Sequence, residues 1–239
     1  MFFIRKSKLI VDVFTTRREI AEYFPIANAI EHAPSWWKNA DKSYTENSIK
    51  RPTLKTCDGL TTYLSTGFIL PLWSDLALNI EEKSYHWQFS DERTDAKVHS
   101  PKQWEMFKDT NKLGHLKIIS PYRLKDKNKL NWLLLNPPWR QSNTEWFEAP
   151  QGILEFKNRH ELNINLLFDL QNKGARLIEA NTPLIHLIPL TEKKVILKHH
   201  VVDEKEFNSM DIENIAFNGA YRKKLSMQKN KSKCPFHFK

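Results

Sequence analysis

Nine histidines, two cysteines and 28 acidic residues are the side chains of this 239-residue sequence that could carry acid–base, nucleophilic or metal chemistry. Their spacing withholds the usual arrangements. No histidine begins H-E-x-x-H, which would put two imidazoles on one helix face, and no G-x-S-x-G elbow presents a serine nucleophile. No histidine is followed two residues later by Asp or Glu, the mark of a two-His, one-carboxylate iron site. Gly59, Gly67, Gly114, Gly152, Gly174 and Gly219 lie too far apart for G-x-G-x-x-G or for a phosphate-cradling G-x-x-x-x-G-K. Dinucleotide-binding and standard triphosphatase readings fall, and neither a cofactor nor a metal is expected.

The remaining candidates each admit a structural role. His199 and His200 are neighbours, so on a strand they point to opposite faces and do not easily share a metal. Cys234 and His237 have C-x-x-H spacing, which supplies two zinc ligands without a second pair nearby. Asp75, after Pro71 and Trp73, is placed to accept hydrogen bonds from turn amides while Trp73 closes a core. His99 with Gln103, and His186, could line a pocket; for His186 a hydrogen-bonded core position is expected. Trp132, Trp139, Trp146 and Phe147, around Pro137 and Pro138, form either a stacking platform with Arg140 as a phosphate holder or anchors of a subunit interface, the latter being favoured.

These residues need elements to hold them. Hydrophobic residues make up 40% of the chain, enough for an ordinary core, and aromatics 12%. Lys8–Phe14 has strand composition, and Thr15 or Thr16 could cap a helix through Tyr23, which Pro25 interrupts. Ile26–His32 reads as another short helix, and residues 38–55 as a polar loop. Thr56–Gly67 predicts a helical turn with Leu60, Tyr63 and Leu64 on one face and Gly67 as its C-terminal cap. Tyr85, Trp87 and Phe89, then Leu162, Ile164 and Leu166, recur at period two, and several further short strands run to Val202. A mainly β fold follows, an antiparallel β-sandwich or jelly roll with flanking N- and C-terminal helices. The expected organisation is an N-terminal strand and helices over 1–50 packing on the core, the β core over 51–203, and a helix with a basic tail over 204–239.

Charge sits mostly at the end. The net charge is +9, yet outside residues 222–239 there are 30 basic and 28 acidic side chains, so the body is nearly neutral. Arg222, Lys223, Lys224, Lys229, Lys231 and Lys233 make the tail a candidate to lie along nucleic acid or to act as a solvated extension. The first residues lack the long apolar core of a signal peptide and no run approaches a membrane span, so an intracellular chain without a membrane partner is expected. Two cysteines are too few for a disulfide framework, which agrees with a reducing compartment.

Two resemblances add to this. The blocks K-T-C-D-G-L and G-F-I-L-P-L-W-S-D within Lys55–Asp75, His99–Gln103, Ser120–Tyr122, Asn136–Pro138, and Asn181–Leu184 with Ile188–Leu190 resemble an uncharacterised family encoded by tailed phages, especially marine ones, over roughly residues 25–205. This resemblance implies phage origin and a β-rich core and transfers no catalytic residue. Locally, Gly152–Glu161 resembles the G-[LV]-I-D-x-x-Y-x-G-E motif of deoxyuridine triphosphatases, trimeric jelly-roll enzymes. Glu155 stands at that family's sugar-binding Asp, Asn158 at its stacking Tyr and His160 at its second Gly, and Arg140-Gln141-Ser142 echoes a phosphate motif.

The function expected from these readings is a non-enzymatic phage protein, a virion structural or accessory component that assembles with itself or with other phage proteins in the host cytoplasm or the virion. The alternative is a deoxyuridine triphosphatase-like enzyme or binding protein for a nucleotide or small metabolite, with Arg140, Glu155 and Glu161 as its ligand-binding residues.

Overall fold

Along Leu76–Ile80 the side chains of Leu76, Leu78 and Ile80 are buried while Ala77 and Asn79 are exposed, the period-two pattern of a strand with one face on a core. Repeated through the chain, that pattern gives a mainly β protein. A computed structural model of the chain describes residues 8–106, 109–137, 146–157 and 161–209.

The chain begins with β1 (Leu9–Thr15), α1 (Arg18–Tyr23), β2 (Ala27–Asn28), α2 (Ser35–Asn39), β3 (Ser43–Glu46) and β4 (Ile49–Pro52). Then come α3 (Asp58–Ser65), β5 (Phe68–Pro71), β6 (Leu76–Ile80), β7 (Tyr85–Phe89), β8 (Ala96–Val98), β9 (Leu113–Ile118), β10 (Arg123–Lys125) and β11 (Asn131–Leu135). The last described elements are β12 (Phe147–Glu148), β13 (Gly152–Glu155), β14 (Ile164–Asp169), β15 (Gly174–Ile178), β16 (Pro183–Pro189), β17 (Val195–Val201) and α4 (Glu204–Ser209).

The described strands form five sheets, ordered β10-β1-β17, β13-β11-β16-β5-β2, β12-β14-β9-β8, β15-β6-β7 and β3-β4. Every pairing between these strands is antiparallel except β1 with β17, which run parallel from Leu9 opposite Val195 to Thr15 opposite Val201. The parallel pairing brings the two ends of the described chain together and leaves β17 as an edge strand.

One large apolar cluster joins four of these sheets: Val11 and Val13 from β1, Phe68 and Leu70 from β5, Leu76 and Leu78 from β6, Leu116 from β9, Trp132 from β11 and Leu166 from β14 all belong to it. A smaller cluster of Ala29, Ala33, Trp37, Leu64 and Ile69, with Leu60 and Tyr63 beside it, seats α2 and α3 on β5. The helical turn expected before Gly67 is therefore present with the expected apolar face. Gly67 has φ +78°, and a Cβ there would overlap the Leu187 carbonyl oxygen, so the turn into β5 requires glycine.

Three expectations are corrected. Ile26–His32 is not a second α-helix, because Ala27 and Asn28 pair with Ile69 and Phe68 and only Ala29–His32 winds, as a 3-10 turn. Residues 38–55 are not loop: β3 and β4 form a hairpin, turned through Asn47 and Ser48 at φ 50° and 64°. Helix α1 starts at Arg18 without a side-chain cap, although Thr15 Oγ1 does accept the Arg17 amide at 3.2 Å. Of the C-terminal helix expected after residue 203, Glu204–Ser209 is described as α4.

Candidate functional site

The free edge of β17 follows from its register. In a parallel ladder a residue's N–H and C=O point to the same side, and alternate residues serve opposite neighbours. The Leu9 amide donates to the Lys194 carbonyl and the Val202 amide to the Thr15 carbonyl, so the even-numbered residues of this strand face β1. Val195, Leu197, His199 and Val201 therefore direct their backbone groups away from it, towards an edge on which no further strand pairs among the described residues.

Beside that edge is an open groove of about 430 Å³. Its far wall is Pro25–Asn28, its floor includes Phe68, and its near wall is Lys194–Leu197 with His199. Its volume lies in the range of about 300–1,000 Å³ typical of ligand pockets. The side chains of Val195 and Leu197 pack on the main core, as does Ile26 from the opposite wall, so the depth of the groove is apolar. Lys194 and Lys198 are exposed and lie on the other face of the strand.

Two side chains fix the far wall. His199 Nε2 lies 3.0 Å from the Ile26 carbonyl and donates to it, which leaves Nδ1 as a buried lone pair without a partner among the described residues. Burial lowers the basicity of His199 and His200 reinforces it, while the Ile26 carbonyl works the other way. The Tyr122 hydroxyl, fully buried, lies 3.0 and 2.8 Å from the carbonyls of Ile20 and Phe24 at the end of α1. One hydroxyl proton serves these two acceptors in turn, and burial pushes the phenol pKa up.

No protein-family model and no curated protein matches the chain.

The residues singled out in the sequence fall as follows. His199 and His200 do point to opposite faces, His199 to Ile26 and His200 to Asp12 Oδ1 at 2.8 Å, with its ring stacked on Phe14. His186 is a fully buried core residue whose Nε2 lies 2.6 Å from the Thr66 carbonyl. Asp75 accepts the Ala180 amide at 2.7 Å, and the buried Trp73 donates its indole N–H to Thr94. His99 Nδ1 lies 3.5 Å from Gln103 Nε2, next to the buried His115, whose Nε2 is 3.1 Å from Asn165 Oδ1.

Trp132 and Phe147 are not interface anchors. Trp132 is fully buried in the main core and donates to Asp126 Oδ2, and Phe147 is buried at the rim of a second cavity of about 300 Å³. Trp146 is half-buried against the same core. Among the ligand candidates, Glu155 closes β13 opposite Asn131, and Glu161 accepts from Asn163 Nδ2 at 2.7 Å while its backbone bridges to Arg123. Trp139, Arg140, Asn158, His160, Cys234, His237 and the tail residues Arg222, Lys223, Lys224, Lys229, Lys231 and Lys233 lie outside the described residues.

Among the described residues, no group of three or more His, Cys, Asp or Glu could hold a metal ion, and no helix is long and apolar enough to cross a membrane. The groove itself escaped the sequence reading. Val195–Val201 is recognisable as a strand, but that its neighbour is β1, from the opposite end of the chain, leaves no local signal.

Proposed function

We propose that this chain is a non-enzymatic phage assembly protein with a β-sandwich or jelly-roll body, and that it joins a partner chain by accepting an extended segment of it along β17. The observation that carries the reading is the row of backbone groups at Val195 and Leu197 that no strand pairs among the described residues, beside a groove lined in part by Ile26 and Phe68. Such an edge is a template for another strand, and strand addition combines main-chain hydrogen bonds with pockets for alternate side chains.

The exposed hairpin supports the same reading at a second place. Residues 44–52 are all exposed, with Tyr44 and Ile49 on the face that also carries the Arg51–Glu46 ion pair of 2.8 Å. A hairpin that buries so little against its own body suits an arm that docks elsewhere.

Cross-linking of intact virions from Lys194 and Lys198, read by mass spectrometry, tests the proposal. Cross-links from these lysines to a second chain are expected. Virions that lack the chain, or that contain it without any such cross-link, would overturn it.

A further inference from the structure

Because side chains alternate across a strand, a segment laid beside β17 meets two different surfaces at successive residues. Those pointing inward lie beside Val195 and Leu197, over Phe68 and Ile26. Those pointing outward lie beside Lys194, Ile196 and Lys198, the first and last of which are exposed. Lys193 is exposed at the entrance as well. The carboxylate near Lys198 on this face, Asp12 on β1, is already 2.8 Å from His200. The exposed Glu192 is the other acid close to the entrance in sequence.

A second copy of β17 would set these lysines against their own equivalents, and lysine on an edge strand is a recognised obstacle to self-pairing. From this geometry, and resting on the strand-addition reading above, we infer that the occupant is an extended segment of an acidic partner in which Asp or Glu alternates with apolar residues at period two. The apolar residues enter the groove, and the carboxylates lie along Lys194 and Lys198.

The probes are two blocked hexapeptides, one of alternating Glu and Val and one of alternating Lys and Val, titrated against the full chain by isothermal calorimetry at low salt. The Glu–Val peptide is expected to bind more tightly by about two- to thirtyfold, the sum of two exposed charge pairs of ordinary strength. The double variant Lys194→Glu, Lys198→Glu is expected to reverse the order while the chain stays folded by circular dichroism, with at most a small drop in melting temperature because a glutamate at position 198 would face Asp12. Equal binding of both peptides, binding of neither, or an order unchanged in the variant overturns the acidic-partner inference.

Amide exchange of the free chain tests the underlying reading separately. Val195 and Leu197 should exchange much faster than Ile196 and Lys198. Equal protection of all four would mean that the edge is already paired, and strand addition itself would then fall.

Discussion

Asp126 shows how much a single buried group can hold. It is fully buried, and its carboxylate accepts from the amides of Asn128 at 2.8 Å and Leu130 at 3.1 Å and from the indole of Trp132 at 3.2 Å. Asn128, fixed by this turn, donates its side-chain amide to the Ile10 carbonyl and so ties the turn to β1. Removing the acceptor leaves buried donors without partners, which costs about 1–3 kcal/mol for each such group. Asp126→Ala is expected to lower unfolding free energy by about 3 kcal/mol or more in urea titration, and a loss below about 1 kcal/mol would show that water replaces the carboxylate. At Gly114 the constraint is steric, because a Cβ there would overlap the Phe168 ring across β9 and β14. Gly114→Ala should therefore destabilise by about 1–3 kcal/mol. A neutral result would mean that Phe168 has room to move. Neither role was legible in the sequence. Asp126 stands in an ordinary polar turn, and Trp132 drew notice as an interface residue because its indole partner is supplied by the fold.

At the scale of elements, legibility followed burial. The turn before Gly67 and the strands through Leu76–Ile80 and Tyr85–Phe89 could be read because their apolar side chains repeat with the period of the element. The β3–β4 hairpin could not, because both its strands are exposed and carry no apolar rhythm; its one signal was Asn47, a residue that tolerates the positive φ of a tight hairpin turn. Replacing residues 44–51 by a short Gly-Ser link should change unfolding free energy by no more than about 0.5 kcal/mol, as for surface changes in general. A larger loss would mean that the hairpin supports the body. The wall of the groove behaves differently. Tyr122→Phe keeps the ring in the core and removes the hydroxyl from the carbonyls of Ile20 and Phe24, so a loss of about 1–2 kcal/mol is expected. It should be accompanied by faster amide exchange at the end of α1, and unchanged exchange there would remove Tyr122 from its proposed part in holding the wall.

For the whole molecule, the long-range pairing of β1 with β17 and the shared core explain why the expected β-rich class was accessible while the sheet order was not. Class follows from periodicity within each segment, whereas order depends on which edges meet across nearly the full chain. The same core sets the response to pH. His32, His115, His186 and His199 all have their basicity lowered from the ordinary value of 6.5, in each case first by burial. The unfolded chain therefore takes up protons before the folded one as pH falls, and stability rises with pH wherever that difference persists. The contribution of these imidazoles is complete above about 6.5 and is lost as pH falls below it towards their lower folded-state values. Thermal unfolding followed between pH 7.5 and 5.5, above the carboxylate range, should show a melting temperature that declines over the lower half of that interval. His199→Gln should reduce the slope, since the side chain no longer titrates but retains an amide donor for the Ile26 carbonyl. A melting temperature that is flat or rising on acidification, with the chain still folded at pH 7.5, would show that these histidines accept protons in place and that the core opens to admit them.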